Sequence, residues 1–139
     1  MKNKGFSLLE MMIVIIIIGI LASIAGYYIY KNTERARWTE AKTILNALLA
    51  GQLRHRIQKF GNTTYCTSSY DYTVKGFRCI EVYFNPSKYF NYFLMDNPNL
   101  LACARRTRGS CSHCTICIDQ NGIIKEYTGC SPGCNKFFQ

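Results

Sequence analysis

Hydrophobic and polar positions divide the chain into three stretches. Residues 11–30 form a run of twenty with no charge and no proline. Wound as a helix at about 1.5 Å per residue, the run is apolar on every side and spans roughly 30 Å, the thickness of a bilayer's hydrocarbon layer. From Lys31 the pattern becomes one-sided. Trp38, Ala41, Leu45, Leu49, Leu53, Ile57 and Phe60 recur at steps of three or four, which marks one helix face. Glu34, Arg35, Lys42, Gln52 and Arg56 fall largely elsewhere. No proline interrupts residues 6–60, so the pattern predicts one helix of about 55 residues, on the order of 80 Å long. Gly61-Asn62 is its expected end.

The third stretch predicts strands. Residues 79–84 (Cys-Ile-Glu-Val-Tyr-Phe) alternate and are rich in β-formers, with Pro86 as a breaker. Residues 89–94 and 100–105 are weaker strand candidates. Residues 115–119 and 123–128 flank Asn121-Gly122, a strong hairpin signal. A two-residue turn there pairs Gln120 with Ile123 and sets Cys114 opposite Gly129, close to Cys130. A Cys114–Cys130 bridge is compatible with that register. Cys130-Ser131-Pro132-Gly133-Cys134 reads as a turn with a cysteine at each end.

Size makes the cysteines matter. Of 139 residues, about eighty remain after Phe60, and a head that small is marginal on hydrophobic burial alone. All eight cysteines (Cys66, Cys79, Cys103, Cys111, Cys114, Cys117, Cys130 and Cys134) lie in that part. The density fits a disulfide framework made in an oxidising compartment. Eight cysteines allow on the order of 100 connectivities, so the pairing stays open. Cys111-x-x-Cys114-x-x-Cys117 is also a spacing at which thiolates converge on zinc or an iron–sulfur cluster, or take part in thiol exchange. A haem-attachment Cys-x-x-Cys-His is absent. No Ser–His–Asp set, paired carboxylates or phosphate loop stands out, so neither catalytic residues nor a cofactor nor a metal site is expected, and the chain does not read as an enzyme.

The formal net charge is +9, and removal of Lys2 and Lys4 with a leader lowers it to +7. Basic residues cluster at Arg35, Arg37, Arg54, Arg56 and Lys59 and again at Arg105, Arg106 and Arg108. A solvated surface with positive-inside anchoring accounts for them; attraction to nucleic acid or acidic cell surfaces is the sharper alternative. Tyr27, Tyr28 and Tyr30 stand where an interfacial aromatic belt belongs.

The first ten residues read Met-Lys-Asn-Lys-Gly-Phe-Ser-Leu-Leu-Glu. A secretory signal peptide, cut near Ser23-Ile24-Ala25, and a plain signal anchor both share this basic-then-apolar layout. Neither has a use for Glu10, whose carboxylate opposes insertion by up to ~3 kcal/mol if it sits deep. The segment Gly5-Phe6-Ser7-Leu8-Leu9-Glu10, followed by the apolar run through Gly19-Ile20-Leu21-Ala22, resembles the type IV prepilin family. The resemblance is strong over residues 1–30 and loose beyond. It departs from the family in lacking a proline after the Leu-Ala pair, where many members kink; Gly19 and Gly26 are the local helix-weakening residues here.

The resemblance implies an α+β pilin (ladle) fold, with one long N-terminal helix packed on a small antiparallel sheet in a disulfide-rich head. It implies a leader over residues 1–5, a transmembrane and filament-core helix over 6–30, its amphipathic half over 31–60 and the head over 61–139. A prepilin peptidase and methyltransferase would cut after Gly5 and methylate Phe6. Glu10 would pair with the N-terminal ammonium of a neighbouring subunit. The expected partners are further copies in a helical filament, an assembly platform with its ATPase, and the membrane. The precursor would cross the inner membrane once, and the product would be an extracellular pilus serving adhesion or motility. The alternatives are a pseudopilin of a type II secretion system, periplasmic once assembled, and a membrane-anchored redox or metal protein using Cys111, Cys114 and Cys117.

Overall fold

The computed structural model describes residues 7–58, 65–71, 73–109, 111–132 and 134. The chain divides into two compact units, Met1–Ala36 and Arg37–Gln139. The long helix α1 (Leu8–Gln58) is the first element and belongs to both. It opens with the Met11 N–H donating to the Ser7 carbonyl at 3.2 Å. Nothing in its sequence breaks the hydrogen-bond ladder, since no proline falls between Ser7 and Gln58. The expected stop at Gly61-Asn62 lies outside the described residues, as does Gly133 of the tail turn.

Among the described residues of the second unit seven strands follow. They are β1 (Ser68–Ser69), β2 (Gly76–Phe77), β3 (Val82–Tyr83), β4 (Phe90–Leu94), β5 (Ala102–Arg106), β6 (Thr115–Ile118) and β7 (Ile124–Thr128). A five-stranded antiparallel sheet has the order β1-β4-β5-β6-β7, and β2 and β3 form a separate ribbon. One long helix, an antiparallel sheet and four disulfides make this the α+β pilin fold.

Strand alternation assigns the two sheet faces. Phe90, Tyr92 and Leu94 share one core with Ala102, Ala104, Ile116 and Ile118 and with Trp38, Ala41, Leu45 and Leu48 of α1. Small alanines on β5 give the helix room to lie close. The opposite face carries the row Phe93, Cys103, Cys117 and Lys125 in direct cross-strand register. The Cys103–Cys117 bridge is therefore a rung of the sheet itself.

The helix face differs from the predicted one. Trp38, Ala41, Leu45, Leu48 and Gln52 are fully buried, while Ile57 is 79% exposed. Steps of three, four, three and four hold a nearly straight seam, whereas steps of four drift around the helix. The seam thus leaves Leu53 and Ile57 behind and takes in Gln52. That amide is satisfied by backbone: its Nε2 donates to the Cys66 carbonyl at 2.7 Å, and its Oε1 accepts the Cys66 N–H at 3.0 Å. A polar side chain can occupy a core seam when both ends of its amide are paired.

The predicted strand over residues 79–84 is also corrected. Arg78–Ile80 is a turn of 3-10 helix, and Glu81 sits in the left-handed region at φ 54°. Only Val82–Tyr83 remains strand, pairing back with Gly76–Phe77. The sharp turn sends Ile80 into the core and Cys79 to its bridge with Cys66. A straight strand would put these two adjacent side chains on opposite faces.

The last hairpin reaches the expected bridge by an unexpected route. Ile118 pairs with Ile124, and the Asp119 N–H donates to the Ile123 carbonyl, so the loop has three residues with Gly122 at φ 80°. This is the three-residue hairpin with a left-handed closing residue. One extra residue on β7, Tyr127, then forms a bulge, because Ile116 faces Glu126 while Thr115 faces Thr128. The bulge restores the register that a two-residue turn would have had. Gly129 also lets the backbones converge, since a Cβ there would run into the His113 carbonyl oxygen. Cys114 and Cys130 are joined.

Candidate functional site

The candidate site is the N-terminal surface of α1. Gly5 and Phe6, the expected cleavage and methylation positions, lie outside the described residues. Glu10 stands in the first turn of α1, exposed. Every residue from Ser7 to Tyr30 is exposed, and Glu10 is the only charged one among them. Leu8 is 86% exposed and Ile15 65%. Such a continuous apolar surface far exceeds the patches that soluble monomers show to water. The helix is long and apolar enough to cross a membrane. After Ser7, the polar side chains in the band are Glu10, Ser23, whose hydroxyl donates to the Ile20 carbonyl at 2.7 Å, and the tyrosines at its far end.

Glu10 also stands at a spacing from Ser7 that the sequence reading passed over. Ser7-Leu8-Leu9-Glu10 has the Ser-x-x-Glu spacing of a capping box. An acidic side chain in the first turn also lies favourably toward the positive end of the helix dipole. The carboxylate is exposed, which leaves it open to an external cation.

The cysteines form four bridges: Cys66–Cys79, Cys103–Cys117, Cys111–Cys134 and Cys114–Cys130. Cys111, Cys114 and Cys117 each go to a different partner, so their thiolates do not converge. Among the described residues no group of three or more His, Cys, Asp or Glu side chains is placed to hold a metal.

The three-arginine cluster of the head is split. Arg105 and Arg108 are exposed, but Arg106 is buried. Its guanidinium carbon lies 5.4 Å from the Trp38 ring, 5.1 Å from Phe90 and 5.6 Å from Tyr89. Its Nε donates to the Arg108 carbonyl at 2.6 Å. Alternation along β5 puts residues 102, 104 and 106 on the helix side, and aromatic faces accept the cation there. This arginine serves the core.

Two aspartates hold loops. Asp119 Oδ1 accepts the Asn121 and Ile123 N–H groups, each at 2.9 Å, and Oδ2 lies 3.5 Å from Lys125 Nζ. The Ile123 N–H, followed by that of Asn121 and the Lys125 charge, keeps this carboxyl below the ordinary aspartate range despite burial. Asp71 is lowered in the same way, mainly by the Thr73 N–H.

Residues 1–26 match the prokaryotic N-terminal methylation motif. A stretch of 51 residues is 51% identical to the type IV major pilin protein PilA of Myxococcus xanthus (strain DK1622). That stretch covers 37% of this chain but 23% of the relative's length. No solved structure matches the chain. The methylation motif and the half-identical stretch together make the N-terminal part of the chain similar to that of type IV pilins, and the helix-plus-sheet architecture is consistent with that likeness.

Proposed function

We propose that the chain is a structural subunit of a type IV pilus. It is stored as a single-pass inner-membrane precursor and cut after Gly5 by a prepilin peptidase. It is then methylated on Phe6 and polymerised through its N-terminal helix by an assembly platform and its ATPase. One observation carries this reading: Glu10 is the sole charge in the fully exposed apolar stretch 7–30, which otherwise suits a bilayer or a bundle of like helices. In such surroundings an unpaired carboxylate or ammonium costs several kcal/mol, so each requires the other. Cutting after Gly5 creates the ammonium, on Phe6, that the Glu10 of a neighbouring copy accepts. The pair then fixes the axial register between subunits that featureless apolar surfaces leave undefined.

The decisive variant is Glu10→Gln. Glutamine keeps the size and hydrogen-bonding capacity of the side chain and removes only the charge. Expression, membrane insertion and leader removal should stay near wild type, while incorporation into sheared fibres falls sharply. Glu10→Val should behave alike. Intact mass of fibre material should show a chain starting at methylated Phe6. Wild-type incorporation of both variants would overturn the pairing mechanism, and a mature start near residue 26 would overturn the processing.

A further inference from the structure

The loop between β6 and β7 contains the most labile dipeptide in the protein. In an Asn-Gly sequence the glycine nitrogen, unshielded by a side chain, can attack the asparagine Cγ. A C–N bond forms, the Cγ–Nδ2 bond breaks, and ammonia leaves with the amide proton. Water then opens the cyclic imide to aspartate or isoaspartate. Asn121 and Gly122 are both exposed, so water reaches them freely. Gly122 has only the Leu49 Cδ2 atom near its Cβ position, at 3.8 Å, so packing does not hold the loop shut.

Asp119 does hold it. The Gly122 N–H donates to the Asp119 carbonyl at 3.1 Å, and the Asp119 N–H donates to the Ile123 carbonyl at 3.1 Å. The Asp119 carboxylate takes the N–H groups on both sides, Asn121 and Ile123. One residue thus engages the backbone of every loop position from 121 to 123. Bringing the Asn121 Cγ over the Gly122 nitrogen requires rotation about the Asn121 Cα–C and Cα–Cβ bonds, since the planar peptide bond itself does not turn. That rotation pulls the Gly122 N–H off the Asp119 carbonyl and the Ile123 N–H off Oδ1.

We propose that Asn121-Gly122 is a latent deamidation site that Asp119 keeps inert by clamping the turn. The proposal does not depend on the filament reading. Its consequence when the clamp fails is structural. An isoaspartate adds a methylene to the main chain in a loop whose length sets the β6–β7 register, and it adds a negative charge beside Asp119.

The test uses the full chain in detergent micelles, incubated at neutral pH and elevated temperature. Peptide mapping and enzymatic isoaspartate labelling read the modification. The oxidised wild type should form isoaspartate at residue 121 at least roughly tenfold more slowly than the reduced, denatured chain, since opening the turn breaks at least two net hydrogen bonds. Equal rates would overturn the proposal, and this comparison needs no variant. Asp119→Ala should raise the rate toward the denatured value with all bridges intact by non-reducing mass. Asp119→Asn, which keeps an acceptor oxygen, should stay near wild type. A slow D119A or a fast D119N would overturn the role given to Oδ1. Should D119A fail to form its bridges, hydrogen exchange in the wild type decides: the Gly122 and Ile123 amides should be protected, and exchange as fast as in the denatured chain overturns the clamp.

Discussion

Residues 8–30 and residues 37–58 belong to one helix and share one hydrogen-bond ladder, yet they are stable for different reasons. The first stretch is exposed on all sides. Its helicity rests on its own ladder and on whatever apolar surroundings cover it. The second stretch buries Trp38, Ala41, Leu45 and Leu48 in a core whose other wall is a disulfide-linked sheet. An isolated helix is marginal in water, and tertiary packing normally supplies its stability. Only the second stretch has that packing within the chain. The contrast is what a subunit requires if one end must exchange lipid for protein neighbours while the other stays folded throughout.

The harshest way to break this comparison is reduction. Each native bridge in a small domain is worth about 2–5 kcal/mol, and four of them exceed the usual stability of such a domain. Strong reductant should abolish the near-ultraviolet dichroism and the thermal transition of the head. The helical far-ultraviolet signal of residues 8–30 should survive in detergent. Loss of both signals together, or of neither, would erase the distinction drawn between the two stretches.

A smaller effect sharpens it. Trp38→Ala removes a fully buried ring packed edge-on against Phe90 with centroids 4.9 Å apart, and should cost about 3–5 kcal/mol in head stability. Ile15→Ala removes an exposed side chain from the same helix and should leave head melting unchanged within about 0.5 kcal/mol. Comparable losses from both substitutions would mean that the two stretches fold as one.

The mildest probe is acid. Asp119 and Asp71 are held below the ordinary aspartate value. Their contributions are thus fully present above about pH 4 and are lost as pH falls through the lowered folded values. Head stability should decline on that side, and Asp119→Asn should flatten part of the decline. The helical signal of residues 8–30 should show no matching step. An unaltered acid slope in D119N would remove Asp119 from the account.

The parts legible in the sequence were those set by local chemistry. The N-terminal motif, the uninterrupted helix, the strands around residues 90–94 and 115–118, and the Asn-Gly turn each announce themselves within a few residues. What stayed hidden depended on distant partners. Gln52 reads as a surface residue until the backbone of Cys66 arrives to pair both ends of its amide. Arg106 reads as one of three surface arginines until strand alternation turns it toward Trp38. Residues 79–84 look like a strand because alternation cannot reveal that Cys79 must reach Cys66. The Cys114–Cys130 bridge was only compatible with the expected register, which the loop violates and the Tyr127 bulge repairs, two irregularities that no short-range pattern encodes. At the candidate site, Glu10 stood out because a charge in an apolar run is costly unless it has a use.

The order of the bridges along the chain has a topological consequence. Cys66–Cys79 closes one ring, and the other three bridges interlock residues 103–134 into a second. No bridge spans residues 80–102, so the head is two covalent islands joined by a single strand of backbone. The only basic residue in that joint is Lys88, which is exposed. A tryptic nick at Arg105 or Lys125 leaves the polypeptide in one piece until a reductant is added. A nick at Lys88 parts it without one. The fragment released would carry β4 to β7 as a cross-linked sheet with its core face bare, and the fragment left behind would be the helix with only β1 to β3 and the Cys66–Cys79 ring beside it.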